Sequence, residues 1–118
     1  MLTPEEEVRQ TLIAEMIGPL GYPRGLLSVE KQVRKERRAD LVCYTPQMEP
    51  LLLVECKAVC ITDQAIQQAF GYNETIQAPF ICLVSQKEKK TFWKEVDRFG
   101  SVPFLPTYRE LYAMAQRR

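Results

Sequence analysis

The chain has 118 residues, a formal net charge of +1 and 26% charged residues. This length suits one ordinary globular domain with its own core, so we predict a single domain over residues 1–118. The small net charge does not by itself indicate a nucleic-acid partner. The chain contains no histidine, which excludes His-based zinc sites and Ser-His or Cys-His nucleophile systems.

The cysteines lie in or beside apolar runs and form no CxxC pair. They are Cys43, Cys56, Cys60 and Cys82. We predict four buried, reduced thiols in a cytoplasmic protein. The N-terminus is acidic and polar, and the longest apolar run is only about strand length. We therefore expect neither a signal peptide nor a membrane span.

The N-terminal segment has the pattern of a capped amphipathic helix. Thr3 suits the N-cap, Pro4 the first helical position, and Glu6 the position that completes a capping box. Apolar residues then recur at helical spacing until glycine and proline residues end the helix near Gly18. Residues 5 and 9 border the apolar stripe and are placed to face inward.

Three runs of strand character follow, at residues 26–33, 39–44 and 51–58. The polar loop between the last two predicts a hairpin. A basic segment, Arg34-Lys35-Glu36-Arg37-Arg38, separates the first two runs. Together with Lys31 it contributes five cations that run up to the candidate site. Such a segment can hold a phosphate backbone, although a solvated strand edge is the commoner explanation.

The hydrophobic period changes after residue 60. A helix capped by Thr62 or Asp63 and reaching about Ile76 is predicted, followed by a buried strand over 79–85. A second basic turn with Lys87, Lys89 and Lys90, a short edge strand over 91–94 and a terminal helix over 107–117 complete the chain. The order helix, three strands, helix, strand indicates an α/β fold with an αβββαβ core, a mixed central sheet and flanking helices.

Charged residues at the hairpin suggest chemistry. If residues 46–49 form a four-residue connection, Asp40 lies directly opposite Glu55, on the same face of the sheet. Side chains alternate along a strand, so Lys57 shares the face of Glu55. A slip of one residue would move Asp40 to the other face, so the prediction depends on register.

Two carboxylates held this close repel each other unless a cation lies between them. Mg²⁺ or Mn²⁺ suits oxygen ligands, and the backbone carbonyl of Cys56 is a candidate third ligand beside Asp40 and Glu55. Lys57 would then orient or deprotonate a water, or stabilise charge on a phosphate. The alternative is an ordinary Glu-Lys pair at a strand end, because Glu-x-Lys alone is a weak signal.

These residues resemble a known nuclease signature. Asp40, fourteen intervening residues and then Glu55-Cys56-Lys57 are similar to the PD-(D/E)xK motif. Further segments resemble the N-terminal nuclease domain of type I restriction enzyme R subunits. They are Thr3-Pro4-Glu5-Glu6, Val8-Arg9-Gln10, Gly21-Tyr22-Pro23, Glu30, Arg38-Ala39-Asp40 and Leu53-Val54-Glu55-Cys56-Lys57-Ala58. Gln68-Ala69-Phe70-Gly71-Tyr72-Asn73 is similar to the Gln-x-x-x-Tyr element of RecB-like nucleases, and the resemblance covers roughly residues 3–85.

The resemblance implies a restriction-endonuclease-like, Mg²⁺-dependent DNA phosphodiesterase. It implies that Asp40 and Glu55 bind metal and that Lys57 assists catalysis. It also implies that Gln68 and Tyr72 line the DNA-facing side, although Tyr72 could equally be a core residue and Gln68 a surface residue. The matching acidic positions Glu30 and Glu6 are candidate additional site residues, while Glu6 has the alternative role of compensating the helix dipole.

The chain departs from the family pattern at two points. Ala39 replaces the proline expected before the first aspartate. A helicase-like motor is absent, so ATP-driven translocation is not expected from this chain alone. The resemblance implies DNA and restriction-modification or motor subunits as partners.

Two other functions remain open from the sequence. One is a catalytically silent DNA-binding or assembly module that keeps the nuclease fold without turnover. The other is a homodimerising domain that uses Phe92, Trp93 and Phe99 as its contact.

Overall fold

The computed structural model describes residues 1–34 and 37–117, without the side chains of residues 32–34 and 37. The side chains of Arg34, Lys35 and Arg37, three cations of the predicted basic segment, therefore lie outside the described residues.

The fold is a six-stranded sheet with three α-helices. The elements run α1 (Pro4–Ile17), a 3-10 turn (Arg24–Leu26), β1 (Leu27–Arg34), β2 (Arg37–Tyr44), β3 (Pro50–Cys56), α2 (Asp63–Ile76), β4 (Phe80–Val84), β5 (Lys89–Lys94), β6 (Phe99–Val102) and α3 (Tyr108–Gln116). The strands lie in the order β1-β2-β3-β4-β5-β6. Only the β3–β4 pair is parallel among these neighbours, and α2 provides the crossover between its strands. The predicted mixed α/β architecture is confirmed.

Side-chain caps define where the helices begin. The Thr3 hydroxyl accepts the N–H of Glu6, and the Glu6 carboxylate accepts the N–H of Thr3, which is the predicted capping box. Thr62, rather than Asp63, is the N-cap of α2 and accepts the N–H of Ala65. No helix among the described residues has the length and hydropathy needed to cross a membrane.

Both faces of the sheet are covered, which explains why β3 is apolar along its length. One face packs against α1 and α3, and its buried cluster includes Leu12, Met16, Leu41, Leu52, Val54, Phe80 and Leu111. The other face packs against α2, and its cluster includes Val42, Leu53, Ala65, Ala69, Ile81 and Leu83. The central strands are thereby fixed from both sides.

The structure differs from the sequence prediction at several places. The strand predicted over 51–58 ends at Cys56, and β5 begins at Lys89, inside the predicted basic turn. The prediction omitted β6, whose four residues alternate only between exposed and partly buried. Cys60 is exposed, so the prediction of four buried thiols was wrong for this residue, which lies in a loop outside the sheet.

The predicted dimer contact is partly used inside the fold. Phe92 packs against the α2-side cluster and Trp93 against the other cluster. Phe99 is 56% exposed, with its ring centroid 5.1 Å from that of Phe70. Two of the three aromatic side chains therefore contribute to the core.

Candidate active site

The hairpin register brings the two predicted carboxylates together. Leu41 pairs with Val54 and Val42 with Leu53, so the next residues of the antiparallel strands, Asp40 and Glu55, oppose each other. The register predicted for this part of the hairpin is present. At the loop end it shifts, because Tyr44 rather than Thr45 pairs with Pro50.

The carboxylates make reciprocal bonds with the backbone of the opposing strand. The Asp40 N–H donates to Glu55 Oε1 at 3.0 Å, and the Cys56 N–H donates to Asp40 Oδ2 at 2.6 Å. The hairpin therefore ends in side-chain bonds that fix the orientation of both carboxyl groups. When a carboxyl group is ionised, such a bond is charge-assisted and is stronger than a bond between neutral groups.

Burial shifts the pKa of both carboxyl groups. Glu55 is only 4% exposed. Burial, followed by the Asp40 charge, raises the pKa of Glu55 to about 8, although the N–H of Asp40 and the Lys57 charge lower it. Burial also raises the pKa of Asp40, while the N–H of Cys56 lowers it. The pair would be relieved by a cation between the two groups.

Lys57 follows the last residue of β3 and stays attached to the sheet, because its N–H donates to the Val84 carbonyl at 2.8 Å. Its Nζ donates to Gln68 Oε1 at 3.3 Å. Lys57 and Gln68 line a groove of about 390 Å³ together with Ala58, Val59, Cys60, Thr62, Gln64 and Ala65. The candidate site therefore opens at the carboxyl end of β3, where ligands commonly bind in α/β sheets.

Gln68 and Tyr72 occupy different surroundings. Gln68 holds the Lys57 ammonium, whereas Tyr72 is partly buried and packs against the α2-side core. The structure thus joins Gln68 directly to the candidate site and gives Tyr72 a packing role.

Glu6 and Glu30, the two additional acidic candidates, also have different surroundings. Glu6 is engaged in the capping box with Thr3, whose bonds lower the pKa of Glu6. Glu30 lies between the pairs Val29–Leu41 and Lys31–Ala39, at the level of Asp40. Its Oε1 accepts from Arg9 Nη1 at 3.1 Å. Glu30 therefore adjoins the site, while the carboxylate of Glu6 serves the helix start.

Charges from α1 also act on the pair. Glu5 raises the pKa of Asp40 and of Glu55, and Arg9 lowers that of Asp40. The sequence placed both residues beside the apolar stripe of α1 but gave them no role at the site. Their spacing of one helical turn was the available signal, because residues four apart share a helix face.

The site offers few side chains that could bind a metal ion. Across residues 1–34 and 37–117, no three or more histidine, cysteine or acidic side chains form a group able to hold a metal ion. Asp40 and Glu55 supply hard oxygen donors as a pair, which fits an ion that keeps several water ligands better than a fully protein-coordinated one.

Comparisons with known proteins identify the family of the chain. The family model described as the type I restriction enzyme R protein N terminus matches residues 4–107. No curated protein sequence matches the chain.

Two solved structures share the fold. One is a fragment described as an HsdR subunit of a type I restriction enzyme from Vibrio vulnificus YJ016, with 19% identity and a TM-score of 0.71 over 97% of this chain. The other is the type IIG restriction endonuclease BpuSI, with 19% identity and a TM-score of 0.54 over 93% of this chain. The chain spans 25% of the first protein and 14% of the second. It belongs to the family of type I restriction enzyme R protein N termini.

Proposed function

We propose that the chain is a Mg²⁺- or Mn²⁺-dependent DNA phosphodiesterase domain of the PD-(D/E)xK type. The observation that carries this proposal is the opposition of the partly buried Asp40 and the buried Glu55 beside the anchored ammonium of Lys57. The family and the fold of both neighbours, one described as a restriction endonuclease, support it. DNA and other restriction-modification subunits are the proposed partners.

The chemistry of the site supports a hard divalent ion. Each carboxylate uses one oxygen for its bond to the opposing backbone, Oδ2 in Asp40 and Oε1 in Glu55. We assign the second oxygen of each group, with the Cys56 carbonyl, to the metal. When bound, such an ion supplies an activated water and stabilises charge on phosphoryl oxygens.

The protein side chains have separate roles in this proposal. Asp40 and Glu55 neutralise the ion, and their backbone bonds keep them from turning away. Lys57 presents its ammonium to the phosphate, where it stabilises negative charge or passes a proton to the leaving oxygen. Gln68 keeps that ammonium beside the groove by accepting one of its hydrogen bonds.

Nicking of supercoiled plasmid DNA tests the proposal. We expect wild-type cleavage with Mg²⁺ or Mn²⁺ and none with EDTA. Lys57→Ala and Asp40→Asn should each lower the rate at least about 100-fold, because the first removes a group that stabilises charge or transfers a proton and the second removes a ligand of the metal. Asp97→Asn is the matched control, because Asp97 is exposed in the loop between β5 and β6. No wild-type cleavage, or equal cleavage by Lys57→Ala, contradicts the proposal.

A second candidate is a binding or assembly module without turnover. Its support is the limited donor set, since the described residues provide no cluster of three metal-binding side chains. Under this alternative, DNA binding is salt-dependent, is unaffected by Asp40→Asn and occurs without cleavage. Plasmid nicking by the wild-type protein excludes it.

A further inference from the structure

The ion pair between α1 and β1 lies beside the candidate active site. Arg9 Nη1 contacts Glu30 Oε1 at 3.1 Å, and Glu30 occupies the position of β1 that is level with Asp40. The Arg9 side chain is 16% exposed, whereas that of Glu30 is 54% exposed. The guanidinium is therefore held at the edge of the site, largely covered but with a part of its side chain open to solvent.

Glu30, the acidic partner in this ion pair, has an unusual backbone conformation. Its φ is 55°, in the left-handed region that residues other than glycine rarely adopt. A surface ion pair contributes little to stability, and a left-handed glutamate inside a strand costs at least as much. Stability alone therefore does not account for the arrangement. Strained residues that the surrounding structure holds in place cluster at functional sites.

Arg9 and Lys57 act on the carboxylate pair to different extents. Both charges lower the pKa of Asp40, and Arg9 lowers it more than Lys57 does. Lys57 also lowers the pKa of Glu55. Lys57 reaches the site from the end of β3, and Arg9 reaches it from α1. The two cations thus approach the pair from separate elements.

We propose that Arg9 binds a non-bridging phosphate oxygen of the nucleic-acid backbone beside the Asp40–Glu55 pair, and that Glu30 positions its guanidinium. This inference rests on the proposed function for the identity of the ligand. A guanidinium carries five N–H donors in a planar fork, and Nη1 contacts Glu30. The remaining donors suit a phosphate, which arginine often recognises in a bidentate manner. Arg9 is a substrate-binding residue in this proposal, and Glu30 is a positioning residue.

Binding of a short DNA duplex, measured by fluorescence anisotropy in Ca²⁺ over a range of salt concentrations, tests Arg9 apart from catalysis. We expect Arg9→Gln to weaken binding about tenfold and to lower the slope of log affinity against log salt by about one. Arg9→Lys keeps the charge but loses the fork, so it should restore the slope and only part of the affinity. Glu30→Gln, which keeps an acceptor, should cause a smaller loss with an unchanged slope. Arg24→Gln is the control, because this exposed arginine lies near the opposite end of α1.

A second measurement locates the contact, and in it each protein is compared with itself across a set of duplexes. In duplexes with one neutral methylphosphonate at a time, wild type should lose affinity at the position that Arg9 contacts. Arg9→Lys should lose less at that position, because its contact is weaker. Equal effects for both proteins at every position overturn the inference.

The outcomes separate this inference from the proposed function. If wild type cleaves DNA but Arg9→Gln binds with wild-type affinity and salt slope, the inference fails and the proposed function stands. If wild type binds in an Arg9-dependent manner without cleaving in Mg²⁺ or Mn²⁺, the inference stands and the proposed function fails. Absence of duplex binding by wild type overturns the inference.

Discussion

A buried carboxyl group at the end of β3 couples stability to pH. The pKa of Glu55 rises from its ordinary value of 4.5 to about 8 on folding, first because of burial and then because of Asp40. The folded protein therefore binds more protons than the unfolded chain between these two values. The stability that Glu55 contributes in its protonated form is fully present below pH 4.5. It is lost as the pH rises through about 8.

This coupling predicts a pH-dependent free energy of unfolding for the metal-free protein. Between about pH 5.5 and about pH 8.5, urea unfolding in EDTA should show a decrease of about 3 kcal/mol. Glu55→Gln mimics the protonated acid and keeps an acceptor for the Asp40 N–H, so it should flatten the decrease. A wild-type protein that becomes more stable over this range, or an equal decrease in Glu55→Gln, contradicts the assignment.

Because Gln68 accepts a hydrogen bond from Lys57, we expect a substitution of Gln68 to affect catalysis and not the affinity for DNA. Gln68→Leu removes the acceptor and should lower kcat about tenfold, because small misplacements of a catalytic group are costly. The affinity for DNA should stay unchanged, measured as anisotropy in Ca²⁺. Gln67→Leu, at an exposed position of the same helix, is the control. A loss of affinity with unchanged kcat would instead show that Gln68 faces the DNA.

The carboxylate pair could be predicted from sequence, and its cationic neighbour on α1 could not. Asp40 and Glu55 are related by hairpin counting, because strand register follows from apolar alternation and loop length. The contact between Arg9 and Glu30 spans 21 residues and depends on how α1 docks on the sheet. It also depends on a positive φ that the local sequence does not signal.

Among the elements, β6 contains a glycine whose lack of a side chain leaves room for a neighbouring indole. Gly100 pairs with Trp93 in the β5–β6 ladder, and a Cβ at this position would lie 2.5 Å from Trp93 Cε2. The indole packs against Phe80, with ring centroids 6.4 Å apart, so it cannot easily move. The missing side chain thus gives the indole room to cover the edge of the sheet.

This contact predicts the effect of adding one methyl group. Gly100→Ala should destabilise the protein by about 1–3 kcal/mol through overpacking, measured from urea unfolding curves. Gly25→Ala is the matched control, since a Cβ there meets nothing within 4 Å, and it should change stability by less than about 0.5 kcal/mol. Equal stability of the two variants would indicate that the indole relaxes freely.

The predictable elements have long, regular patterns, and the missed ones lack them. The capping box of α1 and the apolar periods of α1 and α3 predicted the positions of these helices closely. The strand β6 has only four residues and no fully buried position, so its sequence is too short and too weakly apolar to indicate a strand. Lys89 and Lys90 resembled a basic turn because their place in the sheet depends on pairing with Val84 and Leu83.

At the scale of the whole molecule, the fold separates stability from the candidate chemistry. Two apolar clusters hold the sheet from both faces, and the charged site occupies the end of β3, where the chain enters the loop before α2. This position lets buried strands fix the carboxylates while the groove beside Lys57 remains open. The proposed metal-dependent chemistry therefore needs no additional residue from the apolar core.

Calorimetric titration of Mn²⁺ into the metal-free protein tests the central proposal most directly. We predict saturable binding to wild type and to Asp97→Asn, and an affinity lowered at least about tenfold in Asp40→Asn, since one of two carboxylate ligands is lost. Circular dichroism should confirm that all three proteins are folded. Absence of binding to wild type, or equal binding to Asp40→Asn, would contradict a metal site at the Asp40–Glu55 pair.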